Sequence, residues 1–196
     1  MRAPLFAFLM LLSAASVTQA QETAIPTRPM GEVSLSNDTA QLRYISNGDA
    51  VGVSQSRFMG SFLLSEQRDV VLSAAVLFPT GLDLGRLSVT FGPQVYAALL
   101  QDENSDVMAV SVGTQLRFLL NRNLGLAISG EAFYAPDILT FGSADNLTDL
   151  SARVEIAAAS KVTAFAGMRW FEFDLTEGQG KRTLQEEVFV GFGYRF

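Results

Sequence analysis

The last ten residues, Glu187-Val188-Phe189-Val190-Gly191-Phe192-Gly193-Tyr194-Arg195-Phe196, restrict the possible folds more than any other stretch of the chain. Val188, Val190, Phe192, Tyr194 and Phe196 share one parity, while Phe189, Gly191, Gly193 and Arg195 share the other. Side chains of a strand alternate between its two faces. One face of this segment is therefore continuously apolar and ends in a terminal aromatic, and the other is mostly small or charged. A soluble sheet would bury the apolar face in a core, whereas a membrane barrel would turn it to lipid.

The same alternation recurs upstream. Between Val107 and Leu120, Met108, Val110, Val112, Leu116, Phe118 and Leu120 oppose Ala109, Ser111, Gly113, Gln115 and Arg117, with Thr114 the one polar residue on the apolar side. Leu124 to Tyr134 sets Leu126, Ile128 and Tyr134 against Ala127, Ser129 and Glu131. Asp149 to Ala158 sets Leu150, Val154 and Ile156 against Ser151, Arg153 and Glu155. Val162 to Asp174 sets Met168 and Trp170 against Thr163, Gly167 and Arg169, although Phe165, Phe171 and Phe173 blur its polar side. A soluble carrier barrel needs an apolar interior and a polar exterior. Here the bulky side is almost free of charge, so facing water it would form a very large aggregation-prone patch. Shifting the register by one residue would point Arg117 at lipid, at a cost of about 2–4 kcal/mol near mid-membrane. The expected fold is all-β: an antiparallel, up-and-down transmembrane β-barrel over residues 31–196, apolar outside and polar inside.

Earlier segments, Gly31 to Ser36, Thr39 to Ser46, Gln55 to Ser65, Val70 to Phe78 and Arg86 to Leu99, alternate less cleanly. Together the segments predict ten strands, or eight if two early ones merge or leave the barrel. Apolar parity changes between Val33/Leu35 and Leu42/Tyr44, which predicts a turn or a bulge across Asn37-Asp38. An even strand number puts both termini on the periplasmic side. The tight connectors at Asn121 to Asn123 and Ser160-Lys161 then fall at that end. The polar stretches Asp102 to Asp106, Pro136 to Thr148 and Thr176 to Thr183 form the external loops.

Residues 1–20 are of another kind. Arg2, the apolar run Leu5 to Leu12 and the small residues ending in Thr18-Gln19-Ala20 have the form of a cleaved signal peptide. Residues 21–30, with Pro26 and Pro29, are expected to be a disordered lead. The chain has 196 residues, no cysteine and no histidine, which excludes disulfides, a lipid-anchoring cysteine, Ser-His-Asp chemistry and imidazole metal sites. Asp and Glu number 20 against 14 Lys and Arg, and Lys161 and Lys181 are the only lysines, which argues against nucleic-acid binding. No motif supplies an activated nucleophile, and the acidic loops lack the ligand spacing of a calcium site. No catalytic residue, cofactor or metal is therefore expected.

The polar side concentrates chemistry in Glu131, Arg153, Glu155 and Arg169, which sequential pairing brings together on three neighbouring strands. Such charges must pair inside a barrel, because desolvation costs several kcal/mol for each unpaired ion. Arg57 and Arg117 are further lumen bases. The network can be a plug filling a narrow barrel, or the lining of a narrow channel for small solutes.

Two resemblances add to this. The terminal pattern Val188, Val190, Phe192, Tyr194, Phe196 resembles the C-terminal assembly signal of bacterial outer-membrane barrels. That implies the outer membrane of a Gram-negative bacterium, the barrel assembly machinery and periplasmic chaperones as partners during biogenesis, and lipid with lipopolysaccharide around a monomer. Gly130-Glu131-Ala132-Phe133-Tyr134-Ala135-Pro136-Asp137-Ile138-Leu139 and Ala166-Gly167-Met168-Arg169-Trp170 resemble motifs of the YfaZ family of Gram-negative outer-membrane proteins. Met168 stands where that family's pattern has an aromatic. The resemblance implies a barrel and carries no activity with it. The resulting expectation is a structural or surface-interaction protein, with the narrow channel as its rival.

Overall fold

The computed structural model describes residues 25–82, 85–101, 105–175 and 180–196, the side chains of 105 and 180 excepted. The signal sequence at 1–20 and the start of the lead lie outside the described residues. Alternating segments separated by turn residues leave one economical solution for backbone hydrogen bonds in lipid, a closed sheet. The strands are β1 (Met30–Leu35), β2 (Thr39–Asn47), β3 (Arg57–Ser65), β4 (Val70–Pro79), β5 (Leu87–Leu100), β6 (Ser105–Asn121), β7 (Leu126–Ala135), β8 (Thr140–Gly142), β9 (Ala144–Ala159), β10 (Val162–Leu175) and β11 (Gly180–Arg195). Ten of them close an antiparallel barrel in sequence order, β8 being an appendage on the outer end of β6. Closure is made by β1 against β11, from Met30 opposite Arg195 to Leu35 opposite Val190.

The parity change at Asn37-Asp38 is a turn: Leu35 pairs with Ala40, and the Ser36 and Thr39 backbones bond across it. The lead is tied down at its end, where the Phe196 amide donates to the Pro29 carbonyl and Met30 already belongs to β1. Pro93 sits inside β5 on the outward face. Having no N–H, it interrupts the ladder to β4, whose pairing stops at Ala75–Gln94 and resumes at Phe78–Phe91.

Two strands are longer than the sequence suggests. β9 begins at Ala144 rather than Asp149, and β11 begins at Gly180 rather than Glu187. The stretches 144–148 and 180–183 are thus wall rather than loop. Polar residues can occupy both faces there, because that part of the wall stands beyond the apolar belt. After Pro136 the chain makes one short turn of 3-10 helix and folds back as β8 onto Val107–Ala109 of β6.

The outer surface carries the predicted belt. Leu35, Leu42, Leu72, Phe91, Val95, Leu99, Met108, Val112, Ile128, Val154 and Val190 are all exposed. Their inward neighbours are buried, including Tyr96, Ser111, Gln115, Ser129, Arg153 and Arg169. The belt is satisfied only by lipid.

Candidate functional site

The chemistry lies in the lumen, in two parts. In the half nearer the termini, Arg153 of β9 reaches across to β1. Its Nη1 and Nη2 donate to the two carboxylate oxygens of Glu32 at 2.8 and 3.0 Å, and its Nε donates to Glu155 at 2.9 Å. Glu155 also accepts from Arg117 Nε at 3.1 Å and from the Ser129 hydroxyl at 2.7 Å. Glu131 of β7 accepts from Arg43 of β2 and from Gln115, both at 2.7 Å. Arg169 grips Asp149 with two bonds of 2.8 Å, and the Tyr96 hydroxyl donates to the same carboxylate at 2.9 Å. Bidentate guanidinium–carboxylate pairs of this kind hold both direction and distance.

The lumen therefore brings Arg153 and Glu155 into direct contact, but it pairs Glu131 and Arg169 with other residues. Glu131 lies opposite Ser151, and Arg169 lies opposite that same serine from the other strand. They stand level on the two neighbours of β9, yet each spends its hydrogen bonds on other partners. Arg57 is buried beside Gln115 and Arg117 around a second small cavity. Glu32, Arg43, Asp149 and Tyr96 complete the set and escape the sequence reading. Glu32 and Arg43 sit on β1 and β2, short strands whose alternation is less regular, while Asp149 shares the parity of Arg153 and could have been included on that ground.

The second part lies in the half farther from the termini. Here Leu63, Val71, Tyr96, Ala98, Leu100, Val107, Ala109, Ala135, Leu147, Phe171, Phe173, Leu175 and Leu184 form one apolar cluster inside the barrel. Every barrel strand except β1 and β2 contributes. Phe165, Phe171 and Phe173 are thus inward residues that fill the lumen. The Phe165 and Phe171 rings lie 4.7 Å from the Arg153 and Arg169 guanidinium carbons, joining the apolar and charged parts.

Glycine makes the room for this filling. A Cβ on Gly113 would collide with the Phe133 ring, and one on Gly191 would collide with Phe165. Each aromatic lies over the glycine paired with it on the next strand. Among the described residues, two small cavities of about 10 Å³ each lie beside the ionic network. Each has room for about one water-sized particle.

A third feature sits at the rim. Because β1 ends at Leu35, the outer part of β11 is paired with β10 alone, and on its other side a cleft of about 280 Å³ opens between Thr183–Glu187 and the Ser65–Gln67 turn. Glu187 accepts hydrogen bonds from the Asn37 and Asp38 amides. Its hydrogen bond to Asp38 raises that carboxyl above its ordinary range. The buried Asp69 closes the lumen beneath with Arg182 at 3.1 Å and the Gln101 amide at 3.0 Å. Among the described residues, no group of three or more His, Cys, Asp or Glu is arranged to hold a metal. Val188, Val190, Phe192, Tyr194 and Phe196 all lie exposed on the lipid face.

Two solved structures of the KdgM porin, one in complex with disordered oligogalacturonate, are similar to the chain with a TM-score of 0.46 and 8% identity, covering 87% of this chain and 99% of theirs. The outer-membrane channel DcaP of Acinetobacter baumannii is similar with a TM-score of 0.40 and 10% identity, over 91% of this chain and 56% of that one. No curated protein sequence matches. The model of the YfaZ precursor family matches residues 9–196, nearly the whole length, and with its apolar belt and closed ten-stranded sheet the chain belongs to that family as an outer-membrane β-barrel with an N-terminal signal peptide.

Proposed function

We propose that this barrel is closed to solutes and serves the outer membrane as a non-enzymatic structural or surface-interaction protein. The observation that carries the reading is the apolar cluster in the far half of the lumen, which runs through eight of the ten barrel strands. An ion crossing it would lose its hydration without gaining a polar partner, which costs many kcal/mol. The ionic layer acts as the rigid brace below it, and the rim offers the contact surface. Ile138 is 81% exposed and Phe141 58% exposed on the turn and strand that fold back over β6, where they stand free for a partner. Lipid and lipopolysaccharide surround the apolar belt of a monomer. The barrel assembly machinery and periplasmic chaperones read the outward residues of β11 during biogenesis.

Planar-bilayer recording tests the reading. The wild-type barrel is expected to give no discrete current steps, and the double variant Phe171→Ala/Phe173→Ala to give them. Steps from the wild type that change on Arg153→Gln would establish the rival, a narrow channel lined by arginines.

A further inference from the structure

The barrel wall is uneven at the end away from the termini. β1 and β2 meet there at Asn37-Asp38 and β3 and β4 at the Ser65–Gln67 turn, while β10 runs on to Leu175 and β11 starts as far out as Gly180. The two short turns pack together, the Glu66 amide donating to the Asp38 carbonyl at 2.6 Å. The outer part of β11 faces them across the cleft of about 280 Å³. Glu186 lies opposite Trp170, the last apolar outward residue of β10 before Glu172 and Asp174. The cleft therefore opens at the limit of the apolar belt, into water beyond the membrane.

A bulge in β11 shapes the floor of this cleft. Gln185 pairs with Phe171 and Thr183 with Glu172, which leaves Leu184 as one residue in excess. Alternation breaks at a bulge, and the consecutive residues Leu184 and Gln185 are both buried. Leu184 joins the apolar cluster inside the barrel. Gln185 is 5% exposed and lines the cleft, and its side-chain amide has no hydrogen-bond partner among the described residues. A polar group held so deep is costly when unpaired, and its oxygen needs a donor.

Charge decides which donor. Asp38, Glu66, Glu186 and Glu187 line the cleft, and no base does. Of the bases on the same elements, Arg182 is bound to Asp69, Lys181 is bound to Glu172 and Asp174, and Arg68 is exposed outside the lining. The Asp38 carboxyl is held above its ordinary range first by its hydrogen bond with Glu187, the charges of Glu187 and Glu66 adding to it. A concave wall of one sign concentrates ions of the other. A bare metal ion does not fit it, since no three of these carboxylates are arranged to hold one, and the space far exceeds the ~10–15 Å³ that one water needs.

We infer that this cleft binds a linear polyamine, a flexible chain with ammonium groups several carbons apart. An ammonium has three donors and no acceptor, which suits the Gln185 oxygen and the carboxylates together. Its methylenes lie against Leu184. The ligand ties β11 to the two short turns on the side where strand pairing ends. The site stands outside the apolar cluster of the lumen, so the inference does not depend on the barrel being closed to solutes.

The test titrates spermidine into the purified, folded barrel in uncharged detergent and reads the heat of binding, with heat-modifiable gel mobility confirming the fold of every variant. One saturable site is expected. Mg²⁺ at equal ionic strength should bind at least about tenfold more weakly, because it gives up its water reluctantly. Glu66→Gln/Glu186→Gln, at two exposed positions, should weaken spermidine binding about fivefold to tenfold. Gln185→Leu removes the acceptor and keeps the burial, and should weaken it about tenfold. Glu172→Gln removes a carboxylate of the same rim that does not line the cleft, and should leave the affinity unchanged. Absence of saturable binding, Mg²⁺ binding as tight as that of spermidine, unchanged affinity in Gln185→Leu, or a loss in Glu172→Gln equal to that in the cleft variants would each overturn the assignment.

Discussion

The two halves of the lumen solve one problem by opposite means. Both must fill a narrow tube whose wall is fixed by the lipid outside it. The half nearer the termini is held mainly by arginines and carboxylates that reach across the barrel, such as Arg153 to Glu32 and Arg43 to Glu131, beside a smaller apolar cluster of Met30, Ile45, Met59, Ala75, Leu77 and Phe133. The far half is filled by Tyr96, Phe171, Phe173 and their apolar neighbours, the Tyr96 and Phe171 rings standing 5.6 Å apart. Ion pairs are directional, and each member depends on the other's presence. Apolar packing is non-directional and depends chiefly on volume. The ionic half should therefore be brittle towards single changes and the apolar half forgiving.

The largest effect is expected at Arg153. Arg153→Met leaves Glu32 and Glu155 buried without the guanidinium that holds them, which should cost about 3–5 kcal/mol. Equilibrium unfolding in urea from lipid vesicles measures it. Arg153→Lys should recover only part of the loss, since one ammonium cannot replace a planar fork donating to two carboxylates. Replacing the charges together, Glu32→Leu/Arg153→Met/Glu155→Gln, should be milder than the single change. If the triple variant proves the weakest of the set, the ionic half is no more coupled than the apolar one.

Next in size is Gly113, where the two halves meet the wall. A side chain there would run into the Phe133 ring and, just as closely, into the Ala132 carbonyl oxygen. Gly113→Ala should cost about 1–3 kcal/mol through overpacking. Adding Phe133→Leu should return only the part due to the ring, because the Ala132 carbonyl stays in place, and complete rescue would place the whole obstruction in the ring. A smaller effect is expected at Phe173, which is fully buried in the far half. Phe173→Leu keeps the apolar character and loses some volume, so it should cost less than about 1.5 kcal/mol in the same urea assay. A loss as large as that at Arg153 would abolish the distinction between the halves.

The difference between the halves also decides what could be read without coordinates. Polar inward residues announce themselves against an apolar outer parity, so Arg117, Arg153, Glu155 and Arg169 are legible on the inner face. Apolar inward residues do not. Phe171 and Phe173 carry the hydropathy of lipid-facing residues at inward positions, and parity alone registers them as noise in β10. Their burial becomes visible only when Tyr96, Leu100 and Leu147 arrive from strands distant in sequence. Pairing is subject to the same limit. The Arg153–Glu155 contact is local to one strand and follows from spacing. Arg153–Glu32 and Arg43–Glu131 span 121 and 88 residues and depend on the curvature of the closed sheet. The fold, by contrast, repeats one local rule in strand after strand. That is why ten strands and their register were accessible when their contents were only half so.

The outer parity supplies the control for both halves, and it carries the smallest expected change in stability. Phe196 is 58% exposed on the lipid face, belongs to neither lumen cluster, and holds the closing seam through the hydrogen bond that its amide donates to the Pro29 carbonyl. Its ring stacks edge-on to Tyr194 at 5.6 Å. Deleting Phe196 removes one backbone bond and a lipid-exposed ring, so a barrel already folded should lose about 0.5–1.5 kcal/mol. On the proposal that the assembly machinery recognises this residue before β11 pairs, appearance of heat-resistant barrel after pulse labelling in cells should slow far more than that loss explains. Normal assembly kinetics together with a stability loss of several kcal/mol would reverse the assignment: the terminal aromatic would then be a structural clasp on the seam, and the lumen would not be the sole brace of the wall.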